Sequence, residues 1–128
     1  MVAFNTTRFG PLEVSDDRVI RFPVGILGFP QLNRFVLMDY KDTPLKWLQA
    51  VEDPDVAFIV TDPKAVAGEG TVTLGEDVVR FLEVDREDDL AVLLMLRVDG
   101  DRVVANLNGP LAINSRRMLG VQAVLERV

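Results

Sequence analysis

Apolar residues occur in short runs along this chain, and turn-forming residues separate one run from the next. This pattern predicts many short β-strands rather than long amphipathic helices. We expect strands at residues 2–6, 12–14, 19–22, 35–40, 46–51, 57–61, 71–74, 90–98, 102–106, 111–114 and 121–125.

The segments between these strands favour chain reversal, because Pro, Gly, Asp and Asn recur at residues 9–11, 52–55, 62–63, 99–101 and 108–110. Asp99 and Gly100 give the clearest hairpin signal, since a two-residue Asp-Gly loop accommodates the positive φ of a tight turn. We expect this hairpin to join strand 90–98 to residues 103–106 as antiparallel neighbours.

Helical spacing occurs in residues 75–84, where apolar side chains recur behind Glu76 and Asp77. Acidic residues favour a helix N-terminus, so we predict one short helix there. Residues 30–34 are a candidate for a second helical turn, and residues 65–70 are predicted to form a mobile loop.

Many short strands with few helices favour a closed sheet, since closure removes exposed strand edges. We therefore predict a mainly β fold: a small, antiparallel, closed or nearly closed β-barrel with one or two short helices. A chain of 128 residues, 48% of them hydrophobic, has enough apolar surface to bury a core without metals or crosslinks. We treat residues 1–128 as a single domain.

The net charge of -6 argues against direct nucleic-acid binding, which draws on clustered Lys and Arg. It suits a basic protein partner, or serves only to keep the domain soluble. The longest apolar runs, residues 90–96 and 120–125, are far shorter than the about 20 residues of a membrane-spanning helix. Because the N-terminus lacks the pattern of a signal peptide and cysteine is absent, we expect a cytoplasmic protein that does not contact a membrane.

Catalysis is restricted because the sequence contains no histidine and no cysteine. Ser-His-Asp triads, Cys-His pairs, thiolate zinc sites and imidazole bases are excluded. We expect a binding protein that is not an enzyme and has no metal or cofactor. Two alternatives remain: a carboxylate-based hydrolase that uses converging acids such as Asp53 and Asp62, and a structural subunit of a larger assembly.

Three segments carry distinctive residues. Residues 22–30 place two glycines and two prolines among large apolar side chains, which favours either a plug in one barrel end or an exposed docking patch. Residues 47–63 contain the single tryptophan, Trp47, which is either a core residue or an anchor for a partner. Residues 104–114 contain three asparagines that suit a structural strand-turn-strand joint. Arg116 and Arg117 follow; they are able to bind an acidic group, but two arginines in a loop are ordinary surface residues.

Together these segments resemble the FliW family of flagellar assembly factors in order and approximate spacing, over nearly the whole chain. Residues 22–29 are similar to the family's Phe-x-x-Gly-Leu-x-Gly-Phe element, and residues 47–63 to its Trp-Leu-Gln…Asp-Pro…Ala-Phe…Asp-Pro block. The matching residues of its C-terminal signature are Asn106, Leu107, Pro110, Ile113, Asn114, Gly120, Gln122, Val124 and Leu125. Family members commonly continue with a short polar tail beyond the position of Val128, and we assign no contact to such a tail.

The resemblance implies a protein, monomeric when free, that binds cytoplasmic flagellin and, in exchange, the RNA-binding translational regulator CsrA. Without flagellin it would sequester CsrA from a surface away from the RNA contacts, which is an allosteric antagonism. Flagellin synthesis would then follow flagellin export.

Charge and apolarity suggest which residues serve each partner. An acidic surface suits a basic RNA-binding partner. The candidates for CsrA are Glu52, Asp53, Asp85, Glu87, Asp88 and Asp89. The terminal segments of flagellin are amphipathic helices that require an apolar groove. The candidates for flagellin are Ile26, Leu27, Phe29 and Trp47.

Overall fold

The computed structural model describes residues 1–67 and 74–123. The strands in these ranges are β1 Val2–Thr6, β2 Gly10–Val14, β3 Val19–Arg21, β4 Arg34–Asp39, β5 Lys46–Ala50, β6 Ala57–Thr61, β7 Leu90–Asp99, β8 Arg102–Ala105, β9 Leu111–Asn114 and β10 Leu119–Gln122. The helices are α1 Pro63–Ala67 and α2 Glu76–Phe81, and short 3-10 helices occupy Asp16–Arg18 and Glu87–Asp89. The predicted mainly β class is confirmed.

Seven strands form a closed barrel in the order β6-β5-β4-β3-β10-β9-β7, and pairing of β6 with β7 closes the ring. Strand β8 extends the sheet beyond β7, and β1 pairs with β2 in a separate hairpin. The predicted antiparallel barrel is confirmed with one exception, because β3 and β10 run parallel where Arg21 lies opposite Leu119. These two strands are far apart in sequence, so no hairpin turn fixes their relative direction.

Strand β4 is apolar on both faces because each face has its own covering layer. Phe35 points into the barrel and is fully buried in the main core. Val36 points outwards and packs with Phe4 and Val51 beneath the β1–β2 hairpin. Successive side chains of a strand face opposite sides. A strand covered on both sides therefore reads as a continuous apolar run, and each fully buried side chain contributes roughly 1.5–3 kcal/mol.

The β7–β8 hairpin forms where the Asp-Gly signal predicts it, but its loop begins one residue later. Asp99 pairs with Arg102, so the two loop residues are Gly100 and Asp101 rather than Asp99 and Gly100. Gly100 has φ of +65°, a conformation that glycine adopts without steric cost. The glycine fixes the turn, and strand pairing places it first in the loop.

Helix α2 confirms the predicted helix in a shorter form, whereas α1 was not expected. The sequence pattern predicts a reversal at 62–63 and a mobile loop from residue 65, yet residues 63–67 are helical. The Asp62 carboxylate accepts a hydrogen bond from the backbone N–H of Lys64 at 2.8 Å. Proline suits the first helical position because no donor is needed there. An acidic cap followed by proline is therefore the signal that identifies α1; residues 68–70 lie outside the described residues.

Three further boundaries differ from the predictions. Residues 30–34 form a turn and the start of β4 rather than a helical turn, because Arg34 already pairs with Arg21. In the predicted strand 71–74, Leu74 is not part of a strand, and the other three residues lie outside the described residues. Strand β10 begins at Leu119, two residues earlier than predicted, directly after a tight turn in which Met118 has φ of +52°. Residues 124–125 of that prediction lie outside the described residues.

Candidate protein-binding surfaces

The loop between β3 and β4 closes on itself as a tight hairpin. Backbone hydrogen bonds join Ile26 N to Phe29 O at 3.4 Å and Phe29 N to Ile26 O at 2.6 Å, which leaves Leu27 and Gly28 at the tip. Gly25 and Gly28 have φ of +71° and +91°, in the region that favours glycine. A Cβ at Gly25 would also lie 2.5 Å from the carbonyl oxygen of Phe29. The loop therefore requires glycine at this position for space as well as for conformation.

Two amide side chains outside the hairpin hold this loop in place. Asn33 Nδ2 donates a hydrogen bond to the Phe22 carbonyl at 2.9 Å. Gln122 Oε1 accepts one from the backbone N–H of Leu27 at 2.7 Å, while Gln122 Nε2 donates to the Gly109 carbonyl at 3.1 Å. The tip is thus tied to β10 and to the segment that precedes β9.

The side chains of the loop divide into buried and exposed groups. Ile26 is only 2% exposed and belongs to the core. Phe29 is half-buried against Phe58, with ring centroids 5.6 Å apart. Leu27 and Val24 are 75% and 61% exposed, and we call these two residues the apolar tip. Ile26 therefore helps to plug the barrel end, whereas the apolar tip forms an exposed patch, so each of the two predicted roles of residues 22–30 applies to part of the loop. Sequence reasoning missed Val24 because no periodicity separates inward from outward residues in a loop.

Trp47 lies on the outer wall of the barrel near the tip of the β1–β2 hairpin. Its ring contacts those of Phe9 and Tyr40, with centroids 6.1 and 5.6 Å away, and the Arg8 guanidinium carbon lies 4.6 Å from its centroid. Such a cation–π contact contributes about 0.5–1 kcal/mol at an exposed site. Trp47 is half-buried, so it is neither a pure core residue nor a freely exposed anchor.

The apolar tip and Trp47 lie toward opposite ends of the barrel. The loop enters β4 at Arg34, whereas Trp47 pairs with Met38, four residues further along that strand. Four strand residues span about 13 Å. The flagellin candidates therefore occupy separate surfaces rather than one continuous patch.

Glu52 is held by β4 rather than being free on the surface. Its Oε1 accepts hydrogen bonds from the backbone N–H groups of Asn33 at 2.9 Å and Arg34 at 3.1 Å, and its Oε2 accepts one from Arg34 Nε at 2.6 Å. Partial burial alone would raise the pKa of Glu52, but the Arg34 side chain and the two backbone donors outweigh it and lower the pKa below its usual 4.5. This carboxylate therefore stabilises the barrel end that carries the loop.

Asp53 also has a local structural role, in the turn between β5 and β6. Its carboxylate accepts a hydrogen bond from the Asp55 N–H at 3.0 Å, and its carbonyl accepts one from Val56 N at 3.3 Å. The Thr7 hydroxyl donates to the Asp55 carboxylate, and the buried Gln49 amide donates to the Val56 carbonyl at 3.1 Å. This turn is bonded to both the barrel and the β1–β2 hairpin.

The second acidic set lies just before β7. Asp85, Glu87 and Asp88 are exposed, and none of them forms an ion pair with a described residue; we call these three residues the acidic turn. Asp89 is half-buried, and its carbonyl accepts hydrogen bonds from the N–H and hydroxyl of Ser115 at 2.8 and 3.0 Å. The charges of the acidic turn are therefore open to a partner.

The two acidic sets occupy opposite ends of the barrel. Glu52 and Asp53 precede the start of β6, whereas the last residue of β6, Thr61, pairs with Leu94. The acidic turn lies beyond Leu90, further from Glu52 along the barrel. A partner that contacts both sets must extend along the whole barrel.

The carboxylates of the hydrolase alternative do not converge. Asp53 precedes β6 and Asp62 follows it, so the five residues of this strand separate them by about 17 Å. In residues 1–67 and 74–123, no three His, Cys, Asp or Glu side chains are grouped to hold a metal ion. This pair therefore does not support the chemistry that the alternative requires.

The strand-turn-strand joint predicted around the asparagines is confirmed at Asn114. This residue is 2% exposed, and its Nδ2 donates to the Leu82 carbonyl at 2.8 Å. Its Oδ1 accepts hydrogen bonds from the backbone N–H groups of Arg116 and Arg117 at 3.1 and 3.2 Å. Asn114 thus joins the end of α2 to the β9–β10 turn.

Both the sequence and the fold are similar to those of known proteins. Residues 3–128 match the family model described as FliW protein. The chain is 40% identical over 124 residues to the flagellar assembly factor FliW of Geobacter sulfurreducens, an alignment that covers 94% of this chain and 77% of that protein. It is 33% identical over 126 residues to the same factor of Caldanaerobacter subterraneus subsp. tengcongensis, covering 95% and 84%. A crystal structure of the flagellar assembly factor FliW matches with a TM-score of 0.91 at 31% identity, covering 98% of this chain and 90% of that one.

Among the described residues, no helix has the length and apolar character needed to cross a membrane.

Proposed function

The chain belongs to the FliW family of flagellar assembly factors, and we propose that it binds flagellin in the cytoplasm and sequesters the translational regulator CsrA when flagellin is scarce. Its relatives carry the name of assembly factors rather than of enzymes, which agrees with a binding role. In this scheme, sequestered CsrA no longer represses flagellin synthesis, so synthesis follows export. CsrA is antagonised from a surface away from its RNA contacts, which makes the relation allosteric.

The observation that carries the flagellin part of the proposal is the exposure of Leu27 on an anchored loop. A leucine that is 75% exposed gains free energy when a partner covers it, by about 1–2 kcal/mol. Its backbone N–H is fixed by Gln122, so little conformational entropy is lost when the partner docks. An amphipathic helix of flagellin offers the apolar stripe that this surface requires. Trp47 is a second candidate contact on the barrel wall.

For CsrA, the acidic turn is a better candidate than Glu52 and Asp53. The Glu52 charge is compensated by Arg34 at 2.6 Å, and Asp53 is used within its own turn. None of the three carboxylates of the acidic turn forms an ion pair with a described residue, and with Arg86, which lies between Asp85 and Glu87, the turn keeps a net negative charge. Uncompensated charge of one sign accelerates association with a partner of the opposite sign.

Isothermal titration tests the exchange. CsrA is titrated into the purified protein first, and flagellin is then added to the preformed complex. We expect CsrA to bind and flagellin to displace it. If neither protein binds, the family fold is present without the proposed function.

Leu27→Ser tests the flagellin surface, because it removes an exposed apolar side chain without touching the core. Val98→Ser is the matched control, since Val98 is 70% exposed and lies on the β7–β8 hairpin. We expect flagellin affinity to fall about tenfold or more in Leu27→Ser and to stay unchanged in Val98→Ser. Equal affinities in both variants would remove the apolar tip from the binding surface.

Charge reversal tests the CsrA surface. In Glu87→Lys/Asp88→Lys, association with CsrA should slow and its dependence on salt should flatten, because the steering field is weakened. Asp99→Lys/Asp101→Lys changes the net charge equally on an exposed hairpin and is the control. Stopped-flow rates at several ionic strengths distinguish the two. A similar slowing in both double variants would mean that overall charge, and not this turn, steers CsrA.

A further inference from the structure

Four arginines line one open cleft of about 430 Å³ in this acidic protein. Arg21 and Arg34 come from β3 and β4, and Arg116 and Arg117 come from the β9–β10 turn. The sequence presents the last two as ordinary surface residues, because the strands that bring the other two beside them are more than eighty positions away. The barrel thus creates a cationic site that no segment of the chain contains.

The charges in this cleft are only partly compensated. Arg21 lies directly opposite Arg34 across the β3–β4 ladder, and like charges in that position repel each other. Arg34 is paired with Glu52 at 2.6 Å, and Arg117 lies 3.9 Å from Glu83. Arg21 and Arg116 have no hydrogen bond or ion pair through their side chains with any residue in the described ranges.

The two acids at the edge of the cleft, Asp16 and Asp17, do not neutralise the free arginines. Asp16 pairs with the N-terminal amine at 3.2 Å, and the Asp17 carboxylate accepts a hydrogen bond from the Ser15 hydroxyl at 2.5 Å. Both carboxylates are thus bonded to their own neighbours and not to the arginines.

The remaining lining of the cleft is apolar. Val2, Val19 and Met118 contribute to it between the charged groups. Val19 is buried in the cluster that packs beneath the β1–β2 hairpin, while Val2 and Met118 are half-buried. A ligand that fits this lining carries both apolar groups and negative charge.

We propose that this cleft binds a carboxylate-bearing, partly apolar segment of a protein partner. A guanidinium presents a planar fork of donors that matches a carboxylate in bidentate fashion, and Arg21 and Arg116 have such forks free among the described contacts. Aliphatic side chains beside the acid would cover the apolar lining. A nucleic acid fits less well, because its repeated phosphates would meet Asp16 and Asp17 at the rim and a net charge of -6. This site contains no residue of the apolar tip or the acidic turn, so its test is independent of the proposed contacts with flagellin and CsrA.

Fluorescence anisotropy with a labelled ten-residue peptide of alternating glutamate and leucine tests this proposal. The variant Arg21→Gln/Arg116→Gln removes the two uncompensated cations, and Arg97→Gln/Arg102→Gln removes two exposed arginines from the β7–β8 hairpin as the matched control. We expect peptide affinity to fall about tenfold in the first variant only. A peptide with glutamine in place of glutamate should not bind.

Any of three binding results would overturn the proposal, as would the stability result given below: no binding of the glutamate peptide to the native chain, an equal loss in both double variants, or tighter binding of a labelled ten-nucleotide polyuridylate than of the peptide. Thermal unfolding provides the folding control. Loss of the Arg21–Arg34 repulsion should leave the unfolding midpoint of Arg21→Gln/Arg116→Gln equal to or above that of the native chain. A lower midpoint with the same loss of binding would assign these arginines to stability instead.

Discussion

The β3–β4 loop requires glycine for two reasons, a backbone with positive φ and a lack of space for a side chain. Comparing Gly25→Ala with Gly28→Ala should separate their contributions to stability. Both Gly25 and Gly28 have positive φ, but only Gly25 is also crowded. A Cβ there would lie 2.5 Å from Phe29 O and 2.6 Å from the Cα of Pro30, whereas a Cβ on Gly28 would meet nothing within 4 Å. Gly28→Ala is therefore a control for the conformational cost alone.

The magnitudes follow from these two contributions. Left-handed backbone costs a non-glycine residue about 1–2 kcal/mol, and alanine recovers about 0.4–1 kcal/mol because it restricts the unfolded chain. Gly28→Ala should therefore lose roughly 1 kcal/mol of unfolding free energy. Gly25→Ala adds an overlap with backbone atoms that cannot rotate away, at about 1–3 kcal/mol, for a total of roughly 2–4 kcal/mol. In a chain of 128 residues, each kcal/mol lowers the unfolding temperature by about 4 °C.

Thermal and urea unfolding, followed by circular dichroism and by the fluorescence of Trp47, give the two stability losses. We expect the unfolding temperature to fall about 8–16 °C in Gly25→Ala and about 4 °C in Gly28→Ala. Flagellin affinity measured well below both transitions should fall more in Gly25→Ala, because the loop must shift to admit the methyl group. Equal stability losses in the two variants would refute the argument that crowding by Phe29 and Pro30 requires glycine at position 25.

Three other substitutions test the hydrogen bonds that support these surfaces. Glu52→Gln should cost about 1 kcal/mol at neutral pH. Because the pKa of Glu52 is lower in the folded than in the unfolded chain, this difference should shrink as pH falls below about 4.5. Urea unfolding at several pH values measures it, and a difference that stayed constant with pH would mean that the hydrogen bonds to Glu52 do not favour its ionised form. Asn114→Ala removes a buried amide that bonds four backbone groups, so we expect a loss of about 2–4 kcal/mol in urea unfolding, and a loss below 1 kcal/mol would contradict its role as a joint. Gln122→Ala should speed amide hydrogen exchange at Leu27 with little loss of global stability, and unchanged exchange would mean that Gln122 does not anchor the tip.

Local patterns account for most of the strands and for the β7–β8 hairpin. A glycine such as Gly100 between two apolar runs strongly favours a tight turn with positive φ. The four apolar residues at 35–38 predict a strand that is buried on both faces, whichever face each side chain occupies. Both inferences depend on neighbours in sequence, so a single sequence contains what they require. The one-residue error in the hairpin loop arises because the pairing of Asp99 with Arg102 is set by the ladder and not by the turn residues alone.

Long-range pairing accounts for what the sequence does not reveal. The parallel alignment of Arg21 with Leu119 joins strands whose proximity depends on barrel closure, and the Arg34–Glu52 contact depends on the register of the β4–β5 pairing. The division of the β3–β4 loop into a buried Ile26 and an exposed Leu27 likewise depends on which residues the barrel end can receive. Composition predicts an apolar, glycine-rich loop at this place, but only the closed barrel decides which of its side chains reach a partner.

Under the proposed function, the positions of the apolar tip and the acidic turn restrict how flagellin would displace CsrA. They lie at opposite ends of a barrel in which every strand is hydrogen-bonded to at least two others, so a signal between them would require a second arrangement of paired strands. Overlap of the two bound partners along the barrel wall requires no such change. On this reasoning, full-length flagellin should displace CsrA, whereas a short peptide that carries only one amphipathic terminal helix of flagellin should bind without displacing it. Fluorescence anisotropy of labelled CsrA, with each competitor in turn, measures the difference, and displacement of CsrA by the short peptide at saturation would instead require coupling through the barrel itself.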